Sequence, residues 1–433
     1  MEAIHKQVMK PTLKTSRKVL INYNSLCIAA CVVYFAQDAI RVLIGTALPI
    51  FGSNSLTWFM IFLMYAPLVA SYLMAPSKVG PAIRRFIVLL VLTAAFFLVT
   101  YLIHPEYESW FFEGSYKIGN WIFRPNQFIY AFLFISIVKN PKDALKALKV
   151  VGYLLLAYYT YKLLRARAVG YWITTTTASG PQHAAYDLNY GYDHLFVFAI
   201  FLGCGFKEKK PLYFVLSAIS FIEILLGGSR GPLLAIAIML ILMYFRYRQD
   251  LSKFLRVIII FGAIVLALLY IALGFEGSVI LFGSLLSRIV GSSSRTIQTL
   301  LGGSSALDSS GRDRLYNMAI EMIKNGFWGY GAYGDRYVIG RVFWVGYVHN
   351  IVFEILIDFG WILGGFFIAK MAIALIKMLL QCKDDNWYML FMIFLIPSIK
   401  LFLSGSFWFL EAFWAAIAVY QMYQREVKRG NVV

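Results

Sequence analysis

The sequence predicts an all-α polytopic membrane protein with about 12 transmembrane helices, both termini cytoplasmic, and one long external loop region. Three observations carry this. Hydrophobic residues make up 60% of the 433-residue chain and charged residues 14%, where a soluble globular chain carries roughly 25% charged residues. Apolar runs recur at the length of a membrane crossing, about 20 residues for a hydrocarbon core of about 30 Å. Lys and Arg collect in short connections on alternate sides, as the positive-inside rule requires. The same placement makes the net charge of +18 a sign of topology, and no nucleic-acid partner is expected. Helices fill the runs because backbone groups in lipid must be satisfied within their own segment, and the runs lack the alternation of a transmembrane barrel.

In order, the expected spans lie at approximately 20–38, 57–75, 86–103, 121–138, 148–164, 191–206, 211–227, 231–245, 256–274, 350–376, 387–402 and 406–422. The basic connections 78–85, 139–149, 207–210, 246–256 and 377–383, with the tail 425–429, fall on the cytoplasmic side. The connections 104–117, 165–190, 228–230 and 275–349 fall outside. The basic tail Met1–Lys18 leads into the first span without a small-residue cleavage site, so no cleavable signal is expected. None of Cys27, Cys31, Cys204 and Cys382 is placed for an external disulfide, and no pair has metal-ligand spacing. The chain reads as one integral membrane domain, 1–433, with 275–349 as an external subregion.

The long polar interruption has order of its own. Leu315, Met318, Ala319, Met322 and Ile323 recur at helical spacing, which predicts an amphipathic helix over about 312–325. Ser310 with Asp313 reads as its cap, and Asn325-Gly326 as its stop. Arg312 and Arg314 fall in its first turn, where free amides and a partial positive charge favour a phosphate.

Other candidates stand beside plainer roles. In Gly227-Gly228-Ser229-Arg230-Gly231-Pro232, the glycines and proline suit a tight reversal into the next helix. Arg230 there is either a snorkelling anchor or the partner of an anion. His349 opens a span, followed by Asn350, with Glu354 and Asp358 deeper on the same helix. A helix-start histidine is commonly an interface residue, but beside a diphosphate it is the natural acid or base. Arg124, Arg165, Arg167, Tyr192 and Asn350 are further substrate-binding candidates, with solvated loop or interfacial anchor as the alternative for the first four. No nucleotide loop, dinucleotide fingerprint or zinc motif is present, and no metal or cofactor is expected.

The run Leu226 to Leu234, with its Ser-Arg-Gly, resembles a signature of the O-antigen ligase and polymerase superfamily. Gly311-Arg312, the turn Asn325-Gly326-Phe327-Trp328-Gly329-Tyr330-Gly331, His349-Asn350, Glu354 and Phe359-Gly360 follow that family's order of motifs, across roughly 190–380. Phe327-Trp328 departs from the Pro-Leu often found there. The resemblance implies a bacterial inner-membrane enzyme, active on the external face, that polymerises oligosaccharide repeat units carried on undecaprenyl diphosphate. Membrane lipid and the lipid-linked oligosaccharide would be its partners, with room for a chain-length regulator. Arg230, Arg312 and Arg314 would bind the diphosphate, and His349 would serve the acceptor hydroxyl, with Asp308, Asp313 or Asp335 as fallback bases. A ligase differs only in its acceptor. A flippase, the reading from another class, requires charges lining the bundle centre, whereas the sequence gathers polar residues in one loop. The topology is directly testable: a cysteine replacing Ser304 should react with a membrane-impermeant maleimide in intact spheroplasts. Labelling only after lysis would invert the assigned orientation.

Overall fold

The computed structural model describes residues 22–48, 52–113, 117–177, 180–184, 187–227, 231–249, 271–274, 276–288, 291, 295–302, 312–342 and 346–431. Among them, Asn54–Met74, Pro76–Ile103, Ile351–Gln381 and Asp385–Phe402 are long and apolar enough to cross a membrane. A fifth candidate is the bent pair Tyr23–Phe35 and Gln37–Ala47. These features mark a helical integral membrane protein. Shorter apolar helices run Pro211–Leu226 and Gly231–Tyr247, close to the expected bounds. The expected span 256–274 lies almost wholly outside the described residues.

Asp385–Ser398 forms the centre of the bundle, with both its aromatic and aliphatic side chains buried. It packs on Leu188–Glu208 so closely that a Cβ at Gly203 would sit 2.4 Å from the Met389 sulfur, the close approach that small residues permit between membrane helices. Pro76–Ile103 is the opposite case, with most of its apolar surface open for lipid. Connections expected on one side of the membrane do meet. Lys149 pairs with Glu208 at 2.6 Å, Arg246 donates to the Cys382 carbonyl at 2.8 Å, and Lys207 reaches Asn386.

Four expectations need correction. The first span is broken at Ala36, where the chain turns by 81°. The polar residues Gln37, Asp38 and Arg41 that follow it thereby face a cavity and not lipid. The span at 121–138 is no single helix: only Ile118–Trp121, Phe128–Tyr130 and Ala131–Ser136 are helical. Pro125 cannot donate to a helix, and neighbouring side chains bond the turn around it instead. Residues 78–85 are not a loop but the first turns of Pro76–Ile103, with Pro76 at the helix start where its missing N–H costs nothing. Arg165 and Arg167 do not open a loop either. Pro141–Val169 continues through them to a left-handed Gly170, and an antiparallel hairpin, Trp172–Thr177 with Gly180–Ala184, follows. The fold is therefore helical with one small hairpin.

The amphipathic helix forms as expected, at Arg312–Asn325, burying Leu315, Ala319, Met322 and Ile323. The glycine turn after it docks backbone to backbone on the end of the next helix. Tyr330 N–H donates to the Ile357 carbonyl at 2.7 Å, Gly331 N–H to Asp358 at 3.1 Å, and Trp361 N–H to Phe327 at 2.9 Å. Gly360 has φ +71 and its added Cβ would lie 2.4 Å from the Trp328 carbonyl carbon. Gly360→Ala should therefore destabilise the protein by about 1–3 kcal/mol, lowering its melting temperature in detergent. Gly119→Ala, where no atom lies within 4 Å, should leave it unchanged. Equal melting of the two variants would refute this docking.

Candidate functional site

A cavity of about 970 Å³ opens among the helices. Its walls come from six regions of sequence: the broken first span from Phe35 to Arg41, the 121–128 turns, Leu155 and Tyr159 of Pro141–Val169, the start of Leu188–Glu208, the segment from Arg312 to His349, and the stretch from Phe394 to Ala412. Four cations line it, Arg41, Arg124, Arg312 and Lys400, together with the carboxylates of Asp38, Asp193 and Glu411. His349 and the aromatic rings of Tyr192, Tyr347 and Trp121 are also in the lining.

His349 is set by its flanks. Asn350 caps the helix Ile351–Phe359, its side chain accepting from Val352 N–H at 3.0 Å and Phe353 N–H at 3.4 Å. On the other flank, Asp335 accepts from Val348 N–H at 3.3 Å. Between them His349 takes φ +56, a left-handed conformation uncommon outside glycine and associated with functional positions. Its ring lies 4.4 Å from that of Tyr347, centre to centre, and its enclosed Nδ1 has no hydrogen-bond partner among the described residues. Burial pushes its pKa down to about 4, and the Arg312 guanidinium adds to the effect. At neutral pH the imidazole is uncharged and able to accept a proton.

Behind this wall lies an ion cluster. Arg336, fully buried, donates to Asp335 at 2.7 Å, to Glu354 at 3.1 Å and to Ser406 at 2.5 Å. Burial alone would lower the guanidinium pKa; Asp335, then Glu354, outweigh it and hold the pKa above its usual range. Ser406 donates in turn to Glu354 at 2.5 Å, and Trp408 Nε1–H donates to Asp358 at 2.9 Å. Asp335, Glu354 and Asp358 are therefore structural partners behind the cavity and do not line it.

The candidates read from sequence divide. Arg312, His349, Arg124 and Tyr192 line the cavity. Arg314, two residues on, is exposed on another face of its helix, so only one of the two arginines enters. Asp313 is exposed as well. Arg165 and Arg167 are exposed near the end of a long helix and are not part of the lining. Asn350 acts as the helix cap. Arg230 and Asp308 lie outside the described residues, but the glycines flanking Arg230 do not. A Cβ at Gly227 would meet Tyr190 at 2.4 Å, and one at Gly231 would meet the Tyr192 hydroxyl at 1.8 Å. Gly227 and Gly231 thus each lie against a tyrosine, one of the two in the cavity wall.

Sequence reading missed Asp38, Arg41, Asp193, Lys400 and Glu411. All but Lys400, which ends a span, fall inside or at the edge of apolar runs without a motif, and the available signal was their charge at that depth.

Residues 215–368 match the family model described as O-antigen ligase. The match covers the Gly227–Gly231 turn, Arg312 and His349, and it supports the superfamily read from the motifs. No curated protein matches the chain, and no solved structure does.

The histidine has a thermodynamic signature. The unfolded chain binds a proton at an ordinary histidine pKa of about 6.5, the folded one only near 4. Below 6.5 the unfolded state takes up more protons, so His349 withdraws stability as pH falls from about 6.5 to about 4. Between pH 7 and 5, the melting temperature of the parent should fall further than that of His349→Gln. Equal falls would show that the ring is not held neutral.

Proposed function

We propose that this chain, which carries the O-antigen ligase domain at residues 215–368, is an oligosaccharide repeat-unit polymerase. It would transfer a growing glycan from undecaprenyl diphosphate to an incoming lipid-linked repeat unit. The observation that carries the reading is the meeting of Arg312 and a neutral His349 in one polar cavity. In the transfer, the bond from the anomeric carbon to the diphosphate oxygen breaks and the acceptor hydroxyl oxygen bonds that carbon. The diphosphate leaves with the electron pair on its lipid. The hydroxyl proton goes to His349, whose Nε2 is left to meet substrate because Nδ1 is enclosed. General-base help of this kind contributes about 10²–10⁴-fold. Arg312, with Arg230 as its proposed partner, stabilises the leaving diphosphate; a charge-assisted hydrogen bond contributes roughly 1.5–3 kcal/mol. We place the cavity on the external face of a bacterial cytoplasmic membrane, in a chain of about 12 crossings with both termini inside. The clustering of the basic connections away from it supports that orientation.

The description of the matching family favours a second reading, a ligase that gives the glycan to a different acceptor. Transport is less favoured, but not on the ground of charge placement, since Asp38, Asp193, Lys400 and Glu411 do line the bundle interior. The family match supports glycan transfer over transport. Deleting the gene and sizing surface polysaccharide tests all three. Single-repeat products are expected; full-length polymer left on the carrier indicates the ligase, and cytoplasmic accumulation indicates transport. Restoring His349→Ala should leave products at single repeats with normal protein levels. Parental polymer from that variant would remove His349 from the chemistry.

A further inference from the structure

Two guanidiniums in the cavity belong to neither Arg312 nor the Ser-Arg-Gly turn. Arg41 lies on the helix redirected by the 81° break, and Arg124 on the turn beside it. That turn is clamped. Tyr34 donates to the Gln127 carbonyl at 2.9 Å, Tyr65 to the Pro125 carbonyl at 3.0 Å, and Gln37 to the Asn126 carbonyl at 3.2 Å. Asn126, 6% exposed, returns a bond to the Gln37 side chain at 3.1 Å. Side chains from three helices thus lock the backbone just after Arg124, at Pro125, Asn126 and Gln127, the preorganisation expected of a binding site.

The arginines themselves are not locked. Neither side chain forms an ion pair or hydrogen bond with a described residue, and Arg41 Nε is enclosed without an acceptor. Asp38, one turn back on the same helix, lines the cavity and is near enough to attract Arg41, but closes no ion pair with it. The two guanidiniums are near enough to repel each other. Like charges kept together on a rigid frame, one with an orphaned buried donor, call for an anion between them.

We infer that Arg41 and Arg124 form a second diphosphate subsite, which holds the lipid diphosphate of the acceptor while Arg312 holds that of the donor. The inference rests on the polymerase reading, because only there do donor and acceptor both carry a diphosphate lipid. Two anchored lipids would present the acceptor sugar and the donor anomeric centre to His349 within one cavity.

The test counts lipids. Full-length protein in zwitterionic nanodiscs is titrated with undecaprenyl diphosphate, and bound molecules per chain are read by native mass spectrometry. Two are expected for the parent. Arg41→Gln, Arg124→Gln and Arg312→Gln should each retain one, and Arg41→Gln with Arg312→Gln none. A variant that simply unfolds loses both, so the retained molecule reports on the fold. Excess inorganic pyrophosphate should displace both. A lipid retained under pyrophosphate would show that the prenyl chain is what the site holds, and would overturn the assignment. A parent binding one molecule, lost only in Arg312→Gln, would sink this inference and leave the proposed function standing. A parent binding none would sink both.

Discussion

A single buried cation holds the working wall of this protein in place. Arg336 joins Asp335 on its own short helix, Glu354 on the helix after His349, and Ser406 in the loop before Glu411. Tyr333 and Phe409 cover its faces at 4.3 and 5.1 Å. A buried ion cluster is weak evidence of net stability, since apolar residues of similar volume often do as well. What it supplies here is register. Asp335 also accepts from Val348 N–H, so the cluster reaches the residue before His349, while Ser406 and Phe409 themselves line the cavity. Removing Arg336 would leave Asp335 and Glu354 buried without their cation, a far larger penalty than losing the bonds.

The cavity is built from interruptions. The first span breaks at Ala36, the expected fourth dissolves into short turns, His349 takes a left-handed backbone, and the loop from Leu403 to Leu410 connects two helices without continuing either. Irregular backbone at membrane depth is tolerated only where protein or water satisfies it. In three of these the structure supplies that satisfaction through side chains: tyrosine hydroxyls for the turn around Pro125, an asparagine cap after His349, and Glu354 accepting from Phe407 N–H at 3.2 Å.

What the sequence made legible follows from this division. Regular helices were readable: Arg312–Asn325 and Pro211–Leu226 fall almost where periodicity and punctuation place them. Arg312, Tyr192 and His349 were readable because they stand in or near a polar segment bearing motifs. Arg41, Asp193, Lys400 and Glu411 were hidden because hydropathy averages over them, and a window that finds a span cannot show that the span is broken. Arg314 illustrates the reverse error. Adjacency in a helix's first turn does not place two side chains on one face, since residues two apart point about 200° apart around the axis at 3.6 per turn.

The volume and charge of the cavity have an electrical consequence. Before substrate enters, a space of about 970 Å³ lined by seven ionisable side chains is polar enough to be filled with water, which mutes every interaction across it. Under the proposed reaction, a glycan that displaces this water would lower the local dielectric, and attraction between fixed cations and a diphosphate would grow in proportion. The sugar would therefore strengthen the hold on a phosphate it does not touch. A lipid diphosphate that has lost its glycan would readmit water and be held more weakly, which would give the spent carrier a reason to leave.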